Sequence, residues 1–123
     1  MAIYENLNCI SLELNTGTID QYNFVKISGA DGQFIAGAAK TDICIGVAQT
    51  AETTAGAAVA IGYSGISKVV SGGTITRGGQ VTCSSGKAVA AASTDEVHGV
   101  ALSSAVADDV FDILLAPSSQ LLA

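Results

Sequence analysis

The sequence predicts an all-β protein, a small β-sandwich or barrel-like domain built from two weakly similar strand-rich halves. Apolar and polar residues alternate with period two along most of the chain. Turn-forming residues recur at roughly the 8–12-residue interval typical of sandwiches and barrels. A ten-residue segment also returns later in the chain. Ala39–Ala48 aligns with Ala92–Ala101 at a constant offset of 53, with six of ten positions identical. The Thr41-Asp42 and Gly46-Val47 matches carry more weight than the alanines, which are common here.

The elements follow in order. Ile10, Leu12 and Leu14 alternate with Ser11, Glu13 and Asn15, and Asn15-Thr16-Gly17 closes that strand with turn chemistry. Asn23–Ser28 reads as a second strand, ended by Ser28-Gly29-Ala30-Asp31-Gly32. Short strands are expected at Gln33–Ala38, Ile43–Gln49, Ala57–Tyr63 and Ile66–Val70. Ser71-Gly72-Gly73 then turns the chain into Thr74–Thr76 and Gln80–Ser84. Ser85-Gly86 leads into Lys87–Ala91, and the last strands are Val97–Ser103 and Val110–Ala116. The alanine-rich runs are too short to nucleate helices, and β-branched and glycine neighbours oppose them. The expected organisation is an N-terminal arm over residues 1–8 and one domain over 9–123. Its pseudo-repeats span about 25–65 and 80–116. A glycine opens each repeated Gly-Val-Ala strand, which points to a bend or to close approach by another backbone.

Composition narrows the function. The 123 residues are 49% hydrophobic but only 13% charged, about half the usual charged share of roughly 25%. That excludes a disordered chain. No apolar stretch reaches the ~18–20 residues of a membrane-spanning helix. So few charges cover a monomer's surface poorly, and some of that surface is expected to be buried against other chains. The net charge of −6, with five scattered Lys and Arg, opposes binding to phosphate backbones and to anionic membranes. Neither nucleic acid nor a membrane is an expected partner. The first residues lack a basic and then apolar leader, so synthesis in a cytoplasm is expected.

Chemistry-bearing motifs are sparse. His98 is the single histidine and stands two residues after Glu96, on one strand face, with no nucleophile motif nearby. The acidic residues Asp108, Asp109 and Asp112, with Asp95 and Glu96 brought near by folding, could hold a calcium ion, but they lack EF-hand spacing. A solvated turn explains them as well. Cys9, Cys44 and Cys83 form no CxxC pair and read as small buried hydrophobes. Gly72-Gly73 and Gly78-Gly79 lack the lysine of a phosphate-binding loop. No catalytic residue, cofactor or metal site is assigned, and an enzyme is not expected. The ends are more apolar than free tails: Ile3, Tyr4 and Leu7, with Asn8, could add as a strand to a partner's sheet edge. Leu121 and Leu122 lie near the other end.

The twin segments Gly46–Ala48 and Gly99–Ala101, the Ala/Gly/Thr-rich linkers after them and the apolar strands Ala57–Ile61 and Val110–Leu115 resemble a known family. The chain is similar over Val25–Pro117 to the capsid decoration, or cement, proteins of tailed bacteriophages. The resemblance implies a structural virion protein with an all-β fold, a homotrimer bound through the major capsid protein to the outer surface of the head. It also implies that Ile3, Tyr4, Leu7 and Asn8 form the partner-binding arm. The other function class left open is a small metal- or carbohydrate-binding β module on a virion or cell surface.

Overall fold

The computed structural model describes residues 7–115. They form nine strands and no helix: β1 (Asn8–Leu14), β2 (Phe24–Ile27), β3 (Gln33–Ala36), β4 (Gly46–Ala48), β5 (Ala58–Val70), β6 (Gln80–Ser84), β7 (Lys87–Ala90), β8 (Gly99–Ala101) and β9 (Val110–Leu115). The all-β class is therefore as the alternation predicts. The strands hydrogen-bond in the order β1-β3-β2-β4-β5-β9-β8-β6-β7, and β1 also pairs with β5. The first five strands thus close on themselves.

Strand β5 organises the molecule. At 13 residues it extends roughly 40 Å, longer than any other strand. Its first half pairs with β1 and β4, and its second half, from Gly65 onward, with β9. The sequence suggests two strands here because Ser64-Gly65 looks like a turn. The chain instead runs straight through, with Gly65 at φ +104°, a backbone state open to glycine. Thr74–Thr76 is the opposite case: it is reduced to a single bridge, Ile75 to Ala105.

The same hydrogen-bonding scheme occurs on both sides of Gly65. Leu14 pairs in parallel with Phe34, and Ser71 bridges in parallel to Ala88. Val25 faces Gly46, as Val81 faces Gly99. Ala48 faces Ile61, as Ala101 faces Ile113. The isolated bridge Ile19–Glu52 is matched by Ile75–Ala105. Turn chemistry repeats as well: Asp42 accepts from the Ala39 N–H at 2.8 Å, and Asp95 from the Ala92 N–H at 2.8 Å.

Two apolar cores lie inside. One holds Leu14, Ile19, Val25, Phe34, Ala48, Val59 and Ile61. The other combines Phe24, Cys44 and Val47 with residues of the later strands, including Val69, Val81, Cys83, Phe111 and Ile113. The segment before β4 fastens the two regions together. Ser85 N–H donates to the Ala38 carbonyl at 2.7 Å, and Glu96 N–H to the Lys40 carbonyl at 2.9 Å. That segment also covers Thr82, whose hydroxyl donates to the Lys40 carbonyl at 3.1 Å. Val81, Thr82 and Cys83 are consequently all buried, which breaks the alternation expected of β6. The β6–β7 hairpin turns at Ser85 and Gly86, both at positive φ (+52° and +81°), the type I′ geometry that matches strand twist.

The glycines that open β4 and β8 have a steric cause. A Cβ at Gly46 would stand 2.2 Å from the Gly62 carbonyl oxygen, and one at Gly99 2.6 Å from that of Leu114. The close approach anticipated from sequence is made by the chain's own β5 and β9, so no neighbouring subunit is needed to explain it.

Candidate interaction surface

The polar candidates do not converge. Asp108 pairs with Lys87 at 2.9 Å, Asp109 accepts from the Val106 N–H at 3.1 Å, and Asp112 pairs with Lys68 at 3.4 Å. Asp95 is engaged in its own turn. Among the described residues no three His, Cys, Asp or Glu side chains are grouped to hold a metal ion. The acidic stretch Asp108–Asp112 is thus divided between ion pairs and a turn cap.

His98 lies in the interior, 3% exposed, against Phe24, with ring centroids 5.3 Å apart. Neither ring nitrogen makes a hydrogen bond of ordinary geometry, the Asp42 carbonyl being the nearby polar group that acts on the ring, and Glu96 Oε1 has no partner. Spacing places Glu96 and His98 on one strand, but they do not pair. Burial pulls the imidazole below its ordinary value, while the Asp42 carbonyl and carboxylate pull the other way. The ring is therefore neutral near pH 7. Asp42 itself is held below the ordinary carboxylate value by the Ala39 N–H first and then by Lys26, 3.0 Å away.

What the fold does present is an apolar sheet face. In β9, Phe111 and Ile113 point inward and are 5% and 0% exposed, whereas Val110 and Leu114 point outward at 52% and 47%. Directly paired residues share a face. Leu114 therefore stands between Ile66 of β5 and Val100 of β8, and Val110 stands beside Val70. The charged residues between these rows, Lys68 and Asp112, pair with each other. The matching face of β1 and β5 is different, with Ser11 opposite Ala60 and Glu13 opposite Ala58. The sequence contains a signal for the apolar face. Ile66–Val70 and Val110–Leu115 carry apolar residues on both alternating positions, a pattern of strands covered on both sides.

Of the four arm residues, Ile3 and Tyr4 lie outside the described residues. Leu7 is half-buried, and its side chain reaches the surface over Gly62, where an added Cβ would meet it at 2.9 Å. Asn8 begins β1 and pairs with Ser64. Leu7 and Asn8 are thus held on the chain's own β5.

The described residues thus combine an all-β fold with an apolar sheet face open to solvent. The comparison with known families gives the chain its identity. Residues 8–116 match the phage cement proteins, and the chain belongs to that family. It is a phage capsid structural protein and a component of the virion. Among solved structures, the chain is similar to the N base of the head fiber gp8.5 of bacteriophage phi29. The identity is 18% and the TM-score 0.71, over 89% of this chain and 94% of that one. At that identity the likeness concerns the fold. No curated protein matches the chain.

Proposed function

We propose that this protein is a decoration protein that binds the outer surface of the phage head and stabilises the shell. Membership in the cement family supports the reading, and the observation that carries it is the apolar face of β5, β9 and β8. Copies that each carry a charge of −6 repel one another, so a contact between them needs a neutral face. This face meets that need, because Lys68 and Asp112, which lie on it, pair with each other. The face accordingly joins copies of the chain, and the homotrimer implied by the family resemblance is the assembly proposed. The major capsid protein is the other partner, engaged by the N-terminal residues Ile3 and Tyr4 through strand addition. The acidic surface keeps the protein off nucleic acid.

The repeated hydrogen-bonding scheme suits a related reading. The domain is two copies of one five-strand unit that share β5, the first using its N-terminal half and the second its C-terminal half.

Co-sedimentation tests the functional reading. The purified chain, mixed with expanded heads that lack it, is expected to bind saturably at a fixed ratio per three-fold position. Removal of residues 1–6 is expected to weaken that binding and leave the unfolding temperature unchanged. An absence of binding at micromolar concentration would overturn the proposal. Undiminished binding without residues 1–6 would overturn the role of the arm.

A further inference from the structure

Cys44 and Cys83 are distant in sequence and meet in the interior. Cys44 lies just before β4 and Cys83 within β6. They are 7% and 0% exposed. Their side chains face the same small space in the interior. Both sulfurs crowd the space over Gly37, where a Cβ would stand 2.7 Å from Cys83 Sγ and 2.8 Å from Cys44 Sγ. Any larger residue at 37 would push the sulfurs away. The backbone around them is also fixed, by Ser85 N–H on the Ala38 carbonyl and Glu96 N–H on the Lys40 carbonyl. All three cysteines are free thiols, and Cys9 is exposed.

A cavity of about 30 Å³ opens beside Cys44, with His98, Gly46 and Tyr63 among its walls. It has room for a molecule about the size of water, and hydrogen peroxide is close to that size. The neutral His98 ring forms part of the wall.

We propose that Cys44 and Cys83 form a cross-linking site, which hydrogen peroxide converts to an intramolecular disulfide that staples the segment before β4 to β6. One sulfur attacks the peroxide as thiolate. The O–O bond breaks, one oxygen leaves as hydroxide and takes up the proton the thiol released to become water, and the other remains on sulfur as a sulfenic acid. The second thiol then attacks that sulfur, the S–S bond forms and the oxygen departs as a second water. Two thiols and one peroxide become one disulfide and two waters. Cys44 lines the cavity and Cys83 does not, so Cys44 is the sulfur placed to meet the peroxide and Cys83 the one that resolves the sulfenic acid. Burial opposes ionisation of both thiols, so the reaction needs the millimolar peroxide used below.

The bond would enclose β4 and β5, removing freedom from the unfolded chain. In a reducing cytoplasm the pair stays as thiols, and in an oxidising medium it closes. A copy mounted on a released particle would then be locked after assembly. That last use rests on the function proposed above; the chemistry does not.

The experiment uses the full chain with Cys9→Ser, which removes the exposed thiol that could join two chains. After exposure of the folded protein to millimolar peroxide, thiols are counted in denaturant and the intact mass is measured. The titratable thiols are expected to fall from two to none. The mass should drop by two hydrogens with no change in oligomeric state, and the unfolding temperature should rise by about 10 °C. Dithiothreitol should reverse all three, and adding Cys83→Ser should abolish the temperature rise. Two thiols still present after treatment, a mass raised by added oxygen, or a disulfide between chains would each overturn the proposal. None of these results bears on head binding, so this inference and the proposed function fail separately.

Discussion

Gly46 and Gly99 are the positions where the structure makes its sharpest steric demand. The Gly46→Ala methyl group would sit 2.2 Å from the Gly62 carbonyl oxygen and 2.9 Å from Ile61 Cγ2. Ordinary contact begins near 3.4 Å, so β4 and β5 must separate by more than about 1 Å. The obstacle is backbone, which cannot swing aside as a side chain can. Overpacking of this kind costs about 1–3 kcal/mol, and weakening the short β4–β5 ladder adds about 0.5–1.5 kcal/mol per hydrogen bond lost. Loss of glycine's freedom in the unfolded chain returns about 0.4–1 kcal/mol. The expected net destabilisation is about 2–3 kcal/mol for Gly46→Ala. It is somewhat smaller for Gly99→Ala, where the clash is 2.6 Å. Gly73→Ala is the control: nothing lies within 4 Å of its Cβ and its φ is not positive, so it should be neutral or slightly stabilising. Urea unfolding followed by far-ultraviolet circular dichroism gives the three values. If Gly46→Ala and Gly99→Ala unfold at the same urea concentration as Gly73→Ala, the close-approach explanation is wrong.

Other consequences concern the surface and the titratable groups. Leu114→Asp places a charge in the middle of the apolar face, on a side chain already 47% exposed. It should leave stability within about 1 kcal/mol yet convert the proposed trimer to monomers in sedimentation velocity; an unchanged sedimentation coefficient would remove this face from the proposed interface. Asp42 has a folded-state pKa depressed below 3.8, so its contribution is present above that pH and is lost as pH falls through the lower folded value. Asp42→Asn should therefore be less stable than the parent at pH 7, and the difference should shrink below pH 3.8; a gap of constant size would contradict it. His98 has a folded-state pKa depressed below 6.5, so the unfolded chain takes up a proton first and stability declines as pH drops below 6.5. His98→Phe should flatten the unfolding temperature between pH 6.5 and 5, whereas an equally steep profile would place the dependence elsewhere.

Much of the architecture could be read in advance because alternation, turn residues and the repeated Gly-Val-Ala segment all act locally. The alternation of Ile10, Leu12 and Leu14 with Ser11 and Glu13 is such a signal, and it places β1 where the structure has it. Two features escaped for non-local reasons. Gly65 looks like a turn because glycine marks both turns and strand irregularities, and only the pairing of β5 with β1 and β9 on either side shows which applies. The burial of Thr82 depends on the 38–44 segment lying over it, a long-range contact with no local trace. The candidate surface was visible only as an excess of apolar residues in Ile66–Val70 and Val110–Leu115. Their neighbours across the sheet make it a patch. The meeting of Cys44 and Cys83 likewise depends on how the segment before β4 crosses β6, and spacing alone could not supply it. His98, two residues after Glu96 in the sequence, carries no local sign of its burial, which comes from packing against Phe24.

The account centres on a protein that strengthens a shell by binding its outside. The most direct measurement heats DNA-filled heads, with and without saturating amounts of this chain, and follows genome release with a DNA-binding dye. Release is expected to move to higher temperature with the intact chain, and to need a higher concentration of chain for the same shift when residues 1–6 are absent. Heads saturated with the intact chain that release their DNA at the bare-head temperature would contradict it.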